Sequence, residues 1–282
     1  IGIITNPHSR RNRRYPEQMR RLAYVLGDED TYELTNKVDD IVTVAERFKK
    51  SGIEILALNG GDGTNHVSLT TFIEVYGDEP LPKITFLRGG TMNTISNGIG
   101  IEGTPSRLLA NLVDKYYTGV PFETTQRDML KITDQDEARY GFIFGNGVVS
   151  NFLEIYYDVG DPPTPATAAY LLGKAVVGMP FGAQIVKEIV RPFTARAVFA
   201  DGEEWPEREY TSLLAATIDQ IGLGFRPFVR CEERPHAFHV LGLMTKPFAL
   251  AAQLPRIRMG LPMSPDKAAS KVTDQVEITS RE

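Results

Sequence analysis

The chain has 282 residues, 42% hydrophobic and 24% charged, which is enough apolar material for one large core or two smaller ones. A formal net charge of −5 gives no general attraction for nucleic acid, and no apolar run approaches the ~18 residues of a membrane-spanning helix. The single cysteine, Cys231, excludes an internal disulfide framework and a cysteine-rich zinc site and suits a reducing, cytoplasmic compartment.

Ile1-Gly2-Ile3-Ile4-Thr5 reads as a short apolar strand stopped by the Asn6-Pro7 turn. Arg10, Arg11, Arg13 and Arg14 follow as a basic cluster, joined by Arg20 and Arg21 on a helix expected over Pro16–Leu26. Such a cluster is a solvated face or an attraction for phosphates or an anionic membrane. A strand over Thr31–Thr35 comes next, then a helix over Val38–Lys50 with Ile41, Val44, Ala45 and Phe48 at helical spacing. Ile53–Leu58 is apolar at almost every position, as suits a strand covered on both faces, and it runs into Asn59-Gly60-Gly61-Asp62-Gly63-Thr64. Glycines let backbone approach a ligand, and a helix starting near Asn65 would turn its free N–H groups toward that turn. Asp62 among such donors is badly placed to hold phosphate directly, so its expected role is through a metal ion or a donated proton. Lys83–Leu87 is a further strand ending in Arg88-Gly89-Gly90-Thr91-Met92-Asn93-Thr94, and a helix over Ser106–Tyr117 completes a doubly wound α/β domain. Glycine-rich turns at the carboxyl ends of two parallel strands are expected to share one site.

Past Gly119-Val120-Pro121 the pattern becomes β-rich, with strands expected over Met129–Ile132, Tyr140–Phe144, Ala195–Phe199, Tyr210–Ile218, Phe238–Leu243 and Val276–Thr279. A loop at Asp161–Pro165 introduces an apolar helical segment from Ala168 to Val190, broken at Gly178-Met179-Pro180, that is core or the lining of an acyl-chain pocket. A helix near Phe248–Leu254 precedes the last strand. His236 and His239 are three apart without a nearby acid or thiol set, and so do not make a metal site.

Three pieces, in order, carry a family resemblance. Asn6-Pro7-His8-Ser9 resembles an N-P-x-S opening, Gly60-Gly61-Asp62-Gly63-Thr64 a G-G-D-G-T signature and Gly90-Thr91-Met92-Asn93 a G-T-x-N turn. All three belong to the diacylglycerol kinase catalytic-domain family, which also holds sphingosine and ceramide kinases and bacterial lipid kinases. The resemblance implies a Rossmann-like nucleotide-binding domain over residues 1–121 and a β-sandwich acceptor domain over residues 122–282. It implies ATP-dependent phosphorylation of a lipid hydroxyl, with Mg²⁺ and the nucleotide held between the two domains. By position, Gly60, Gly61, Gly63 and Thr64 would cradle the phosphates, while Asn6, Ser9 and Thr35 would contact the nucleotide. Asp62 would organise the metal-bound phosphates, and Gly90, Thr91 and Asn93 would form the facing wall. The expected partner is a lipid substrate at a membrane surface, met peripherally through Arg10–Arg14 or the Phe248–Met263 region; nucleic acid is not expected, and a homodimer is compatible.

Several residues depart from the family pattern. Thr94 stands where bacterial members carry Asp, Val67 replaces a glutamate, Arg10 replaces a glycine after Ser9, and no D-G turn occurs near Pro235-His236-Ala237. The family's general base comes from a D-G-E turn near the C-terminus. The one Asp201-Gly202-Glu203 here lies earlier, which makes Glu203 the candidate base and leads us to expect that the catalytic turn lies beyond Glu282 or is lost. With Ile1 already inside a strand, residues are expected to be missing at both ends. The rival readings are a soluble-substrate kinase resembling the NAD kinases and a nucleotide- or lipid-binding homologue without catalysis.

Overall fold

The computed structural model describes residues 1–26, 30–135, 137–159 and 164–281, so Asp161-Pro162-Pro163 of the expected loop lies outside the described residues. The chain divides into two compact units: residues 1–126 with 133–141, and residues 127–132 with 142–282.

The first unit begins β1 (Gly2–Thr5), α1 (Arg10–Arg14), α2 (Pro16–Ala23), β2 (Thr31–Leu34) and α3 (Val38–Ser51). It continues with β3 (Ile55–Asn59), α4 (Asp62–Tyr76), β4 (Lys83–Phe86), α5 (Thr94–Gly98) and α6 (Pro105–Thr118). The four strands form a parallel sheet in the order β2-β1-β3-β4. Successive side chains point to opposite faces, and each face has a helical cover. Ile3, Ile55 and Ala57 pack with Leu22 of α2 and Leu109 of α6. On the other face Gly2 lies against the ring of Phe48 in α3, so close that a Cβ there would fall 2.6 Å from it. Phe48 in turn meets Phe72 of α4 edge to face at 6.4 Å. Helix α3 buries the expected stripe of Ile41, Val44, Ala45 and Phe48 and stops at Gly52 in the left-handed region at φ 65°.

Next in the chain come β5 (Leu130–Asp134) and β6 (Glu137–Gly141), of which β6 belongs to the first unit, and the second unit continues with β7 (Ile143–Gly147), α7 (Val148–Asp158), α8 (Pro165–Gly178), a 3-10 turn (Met179–Phe181) and α9 (Gln184–Ile189). Strands β8 (Phe193–Phe199), β9 (Glu204–Tyr210), β10 (Ser212–Ala216) and β11 (Phe238–Leu243) follow, then α10 (Pro247–Arg258), β12 (Ala268–Thr273) and β13 (Val276–Arg281). Two antiparallel sheets result, β12-β11-β10-β7 and β13-β8-β9. Ala195, Ala197, Phe199, Trp205 and Tyr210 from one sheet share a core with Leu213, Ala215 and Val240 from the other. Leu214 and Ala216, one residue out of phase, pack on the opposite side with Leu250 of α10. Strand β10 is therefore buried on both faces.

Several elements differ from expectation. The segment Tyr140–Phe144 is two strands assigned to different units, and Tyr210–Ile218 is broken at Thr211. The segment Ala168–Val190 forms α8, the 3-10 turn and α9, with the break where Gly178-Met179-Pro180 placed it. Strand β9 carries Pro206 and four charged residues, which hides it as a strand. It is an edge strand with a register shift opposite Ala195–Ala197, where a missing N–H and outward charges cost little. Helix α7, rich in β-branched and aromatic residues, has no helical signature by propensity and is held by packing Phe152 and Ile155 against α9.

Candidate functional site

In the parallel sheet every strand delivers its carboxyl end to the same edge, and β1 is the point at which the chain order reverses, with β2 on one side and β3 on the other. A crevice at such a point is the usual ligand site of an open α/β sheet. The turns after β1, β3 and β4 meet there.

Backbone and amide hydrogen bonds bind them together. The Asn6 N–H donates to the Asn59 carbonyl at 3.1 Å, and the Arg11 N–H to the Gly89 carbonyl at 3.1 Å. The Asn6 Nδ2 donates to Thr64 Oγ1 at 2.8 Å, with Ser9 Oγ 3.4 Å from the same hydroxyl. Asn12, only 4% exposed, donates its Nδ2 to the carbonyls of Asn6 (2.8 Å) and Asn59 (3.0 Å). Asn6, Ser9 and Thr64 thus form one polar group at the start of α4.

The glycines serve two different ends. A Cβ on Gly90 would fall 2.3 Å from the Gly61 Cα, and one on Gly60 would fall 2.4 Å from the Thr64 side chain. The two glycine turns therefore abut backbone to backbone, a distance no side chain permits. Gly63, by contrast, is exposed and has nothing within 4 Å of its would-be Cβ. It is the glycine of the signature that faces open space.

Helix α4 starts at Asp62 rather than near Asn65, so the acid is its first residue. Its Oδ2 accepts the Thr94 N–H at 3.0 Å and its Oδ1 the Ile95 N–H at 3.1 Å. Both turns are thus tied through one carboxylate, and Thr94 takes part through its backbone, which any residue type supplies. Asn93 sits in the left-handed region at φ 50°, and its Oδ1 accepts the Gly90 N–H at 3.1 Å, closing the second turn on itself. Thr91 is partly exposed beside it. Thr35 donates its N–H to the Thr5 carbonyl at 3.0 Å and is 4% exposed, buried behind the strand ends.

Further along α4, His66 has its Nδ1 2.7 Å from the Tyr140 carbonyl, so Nδ1–H donates and the ring anchors α4 to β6. Val67 is partly buried on α4. Asp201-Gly202-Glu203 forms the tight turn between β8 and β9, with Gly202 at φ 82° and the Glu203 N–H donated to Asp201 Oδ1 at 3.1 Å. Lys271 on β12 reaches both carboxylates, 2.6 Å to Asp201 and 2.5 Å to Glu203. These contacts raise the Lys271 pKa, and the Lys271 ammonium lowers that of Asp201. One side chain central to the assembled turns, Asn12, escaped sequence reading. Asn12 stands among arginines and reads as solvated; only the fold of α1 turns it inward.

The donor set suits a nucleotide phosphate accompanied by a divalent cation. Among the described residues no group of three or more His, Cys, Asp or Glu could hold a metal alone. A single carboxylate, Asp62, beside hydroxyl and amide groups matches Mg²⁺, which keeps its waters and leans on phosphates for its other ligands.

Residues 1–121 match the family model of the diacylglycerol kinase catalytic domain. The matched segment takes in all three of the turns described above. A solved structure of a diacylglycerol kinase from Bacillus anthracis strain Sterne superposes with a TM-score of 0.66 at 15% identity, covering 100% of this chain and 86% of that one. Two further structures from the same strain, provisionally described as diacylglycerol kinases, give TM-scores of 0.69 at 14% identity and 0.68 at 16%, with the same coverage. At such identities the likeness shows the fold, which continues through both units. No curated protein matched the chain. The likeness to a kinase catalytic domain supports a kinase-like function.

Proposed function

We propose that the protein transfers the γ-phosphate of ATP to the hydroxyl of a lipid, either a diacylglycerol, a sphingoid base or a related alcohol. The observation that carries this reading is Asp62 bridging two abutting glycine turns within a diacylglycerol kinase catalytic domain. In this reading residues 1–121 are a Rossmann-like nucleotide-binding domain and residues 122–282 a β-sandwich acceptor domain. Gly60, Gly61, Gly63 and Thr64 take the phosphates, Asn6 and Ser9 orient them through Thr64, and Thr35, Gly90, Thr91 and Asn93 shape the surrounding wall. Mg²⁺ entering with the nucleotide would neutralise charge on the transferring phosphoryl group, with Asp62 as its protein anchor. Phosphoryl transfer asks for positioning and charge neutralisation more than for covalent help; the joined turns suit the first, and the cation would supply the second. The acceptor oxygen forms the new bond to the γ-phosphorus as the bond from that phosphorus to the β,γ-bridging oxygen breaks, ADP leaves with that oxygen, and the hydroxyl proton passes to solvent. We assign Glu203 to holding the β8–β9 turn, because its carboxylate is committed to Lys271.

The test is transfer of radiolabel from ATP to a panel of lipids and to NAD. Label in a lipid, retained in Glu203→Gln within about twofold, supports the reading. Label in NAD alone would favour the soluble-substrate kinase, and ATP binding without label anywhere would favour the catalytically silent homologue.

A further inference from the structure

The second unit carries an apolar face that its own fold leaves uncovered. Helix α8 buries Ala168, Leu171 and Ala175 on one side. The opposite side presents Tyr170, Lys174 and Val177, spaced at one face of the helix, with Tyr170 63% and Val177 70% exposed. Phe181, ending the 3-10 turn, is 84% exposed, and that turn packs against α10, whose Phe248 is 72% exposed. Met259 and Leu261 stand out at the far end of α10. Solitary exposed apolar residues need no explanation, but this many on adjoining elements do.

The segments that carry these side chains are themselves basic, with Glu188 and Asp266 just past their ends and Glu154 and Asp158 on the neighbouring α7. Residues 164–187 hold Lys174 and Lys187 and no acid, and residues 244–265 hold Lys246, Arg256 and Arg258 and no acid, in a chain of formal net charge −5. None of these five cations pairs with a carboxylate among the described residues. Arg256 instead donates to the Pro262 carbonyl at 3.0 Å, which holds its side chain without neutralising it.

We propose that the face formed by α8, the 3-10 turn and α10 docks on an anionic lipid bilayer, Phe181 and Phe248 entering the interface and the five cations meeting the head groups. Apolar insertion and basic attraction are the two signals that together hold a protein on a membrane without a spanning segment. Self-pairing through this face would set cations against cations, which argues against a second copy as the occupant. The choice of a membrane over a protein rests on the lipid-kinase reading; the surface itself does not.

The test is sedimentation of the full chain with vesicles of phosphatidylcholine alone and of phosphatidylcholine mixed equally with phosphatidylglycerol. Co-sedimentation with the mixed vesicles, weakened by salt and lowered about tenfold in both the Phe181→Ser/Phe248→Ser and the Lys174→Glu/Lys246→Glu variants, is expected. These positions are exposed, and an unchanged thermal melt shows the variants folded. Equal binding by variants and parent, no preference for anionic vesicles, or a dimer that the serine variant dissolves would each overturn the proposal. Transfer to detergent-dispersed lipid without vesicle binding would sink the docking surface and leave the kinase reading standing. Vesicle binding without transfer would do the reverse.

Discussion

Asp62 holds the two turns together, and in the proposed function it would also anchor the metal-bound phosphates. Its two oxygens accept two backbone N–H groups of the following turn, so Asp62→Asn removes the negative charge and turns an amide N–H against one of those donors. We expect a loss of about 1–3 kcal/mol in denaturant unfolding. Phosphoryl transfer should fall further, by about 10²–10³-fold, because charge placed for the transition state is lost as well. His239 tells a separate story in the second unit. It is 1% exposed and its Nε2 lies 2.9 Å from Ser270 Oγ, while burial, aided by nearby Arg230 against the opposing Glu233, pushes its pKa from 6.5 down to about 4. Between those values the unfolded chain takes up a proton that the folded chain refuses. Stability is therefore whole above pH 6.5 and declines as the pH falls toward 4, by about 3 kcal/mol for this group. Denaturant midpoints at neutral and mildly acidic pH should show the decline, and His239→Asn should flatten it.

At the scale of elements the decisive contact is turn against turn. Gly61 and Gly90 touch through their backbones, so Gly90→Ala forces the β3–α4 and β4–α5 connections apart. Overpacking of this kind costs about 1–3 kcal/mol. Because Asp62 spans the same gap, calorimetric binding of Mg·ATP should weaken together with the melting temperature, whereas Gly63→Ala, with open space at its Cβ, should alter binding and spare the melt. The strand-ending glycines, the polar N-P-H-S turn and the order of the connections were all legible as local chemistry. The edge strand β9 and the helix α7 were not, since their sequences are read correctly only once the register shift beside Ala195 and the packing on α9 are known.

For the molecule as a whole, the family match ends at residue 121 while the first compact unit also takes residues 133–141. Strand β6 lies along α4, where Tyr140 exchanges hydrogen bonds with Thr70 at 3.1 and 3.3 Å and receives the His66 N–H. A fragment ending at residue 121 should therefore melt below one ending at residue 141, a difference that circular dichroism will read. Sequence by itself determined the alternation of strand and helix, the parallel sheet and the identity of the glycine turns, because periodicity and backbone sterics act over a few residues. It also singled out Asp62 as the acid between the glycine turns. Only the tertiary structure decided what that acid touches, that Asn12 faces inward from a run of arginines, and that Glu203 is held by a lysine 68 residues away. Those facts depend on contacts between segments far apart in the chain, whose partners no local pattern of side chains records.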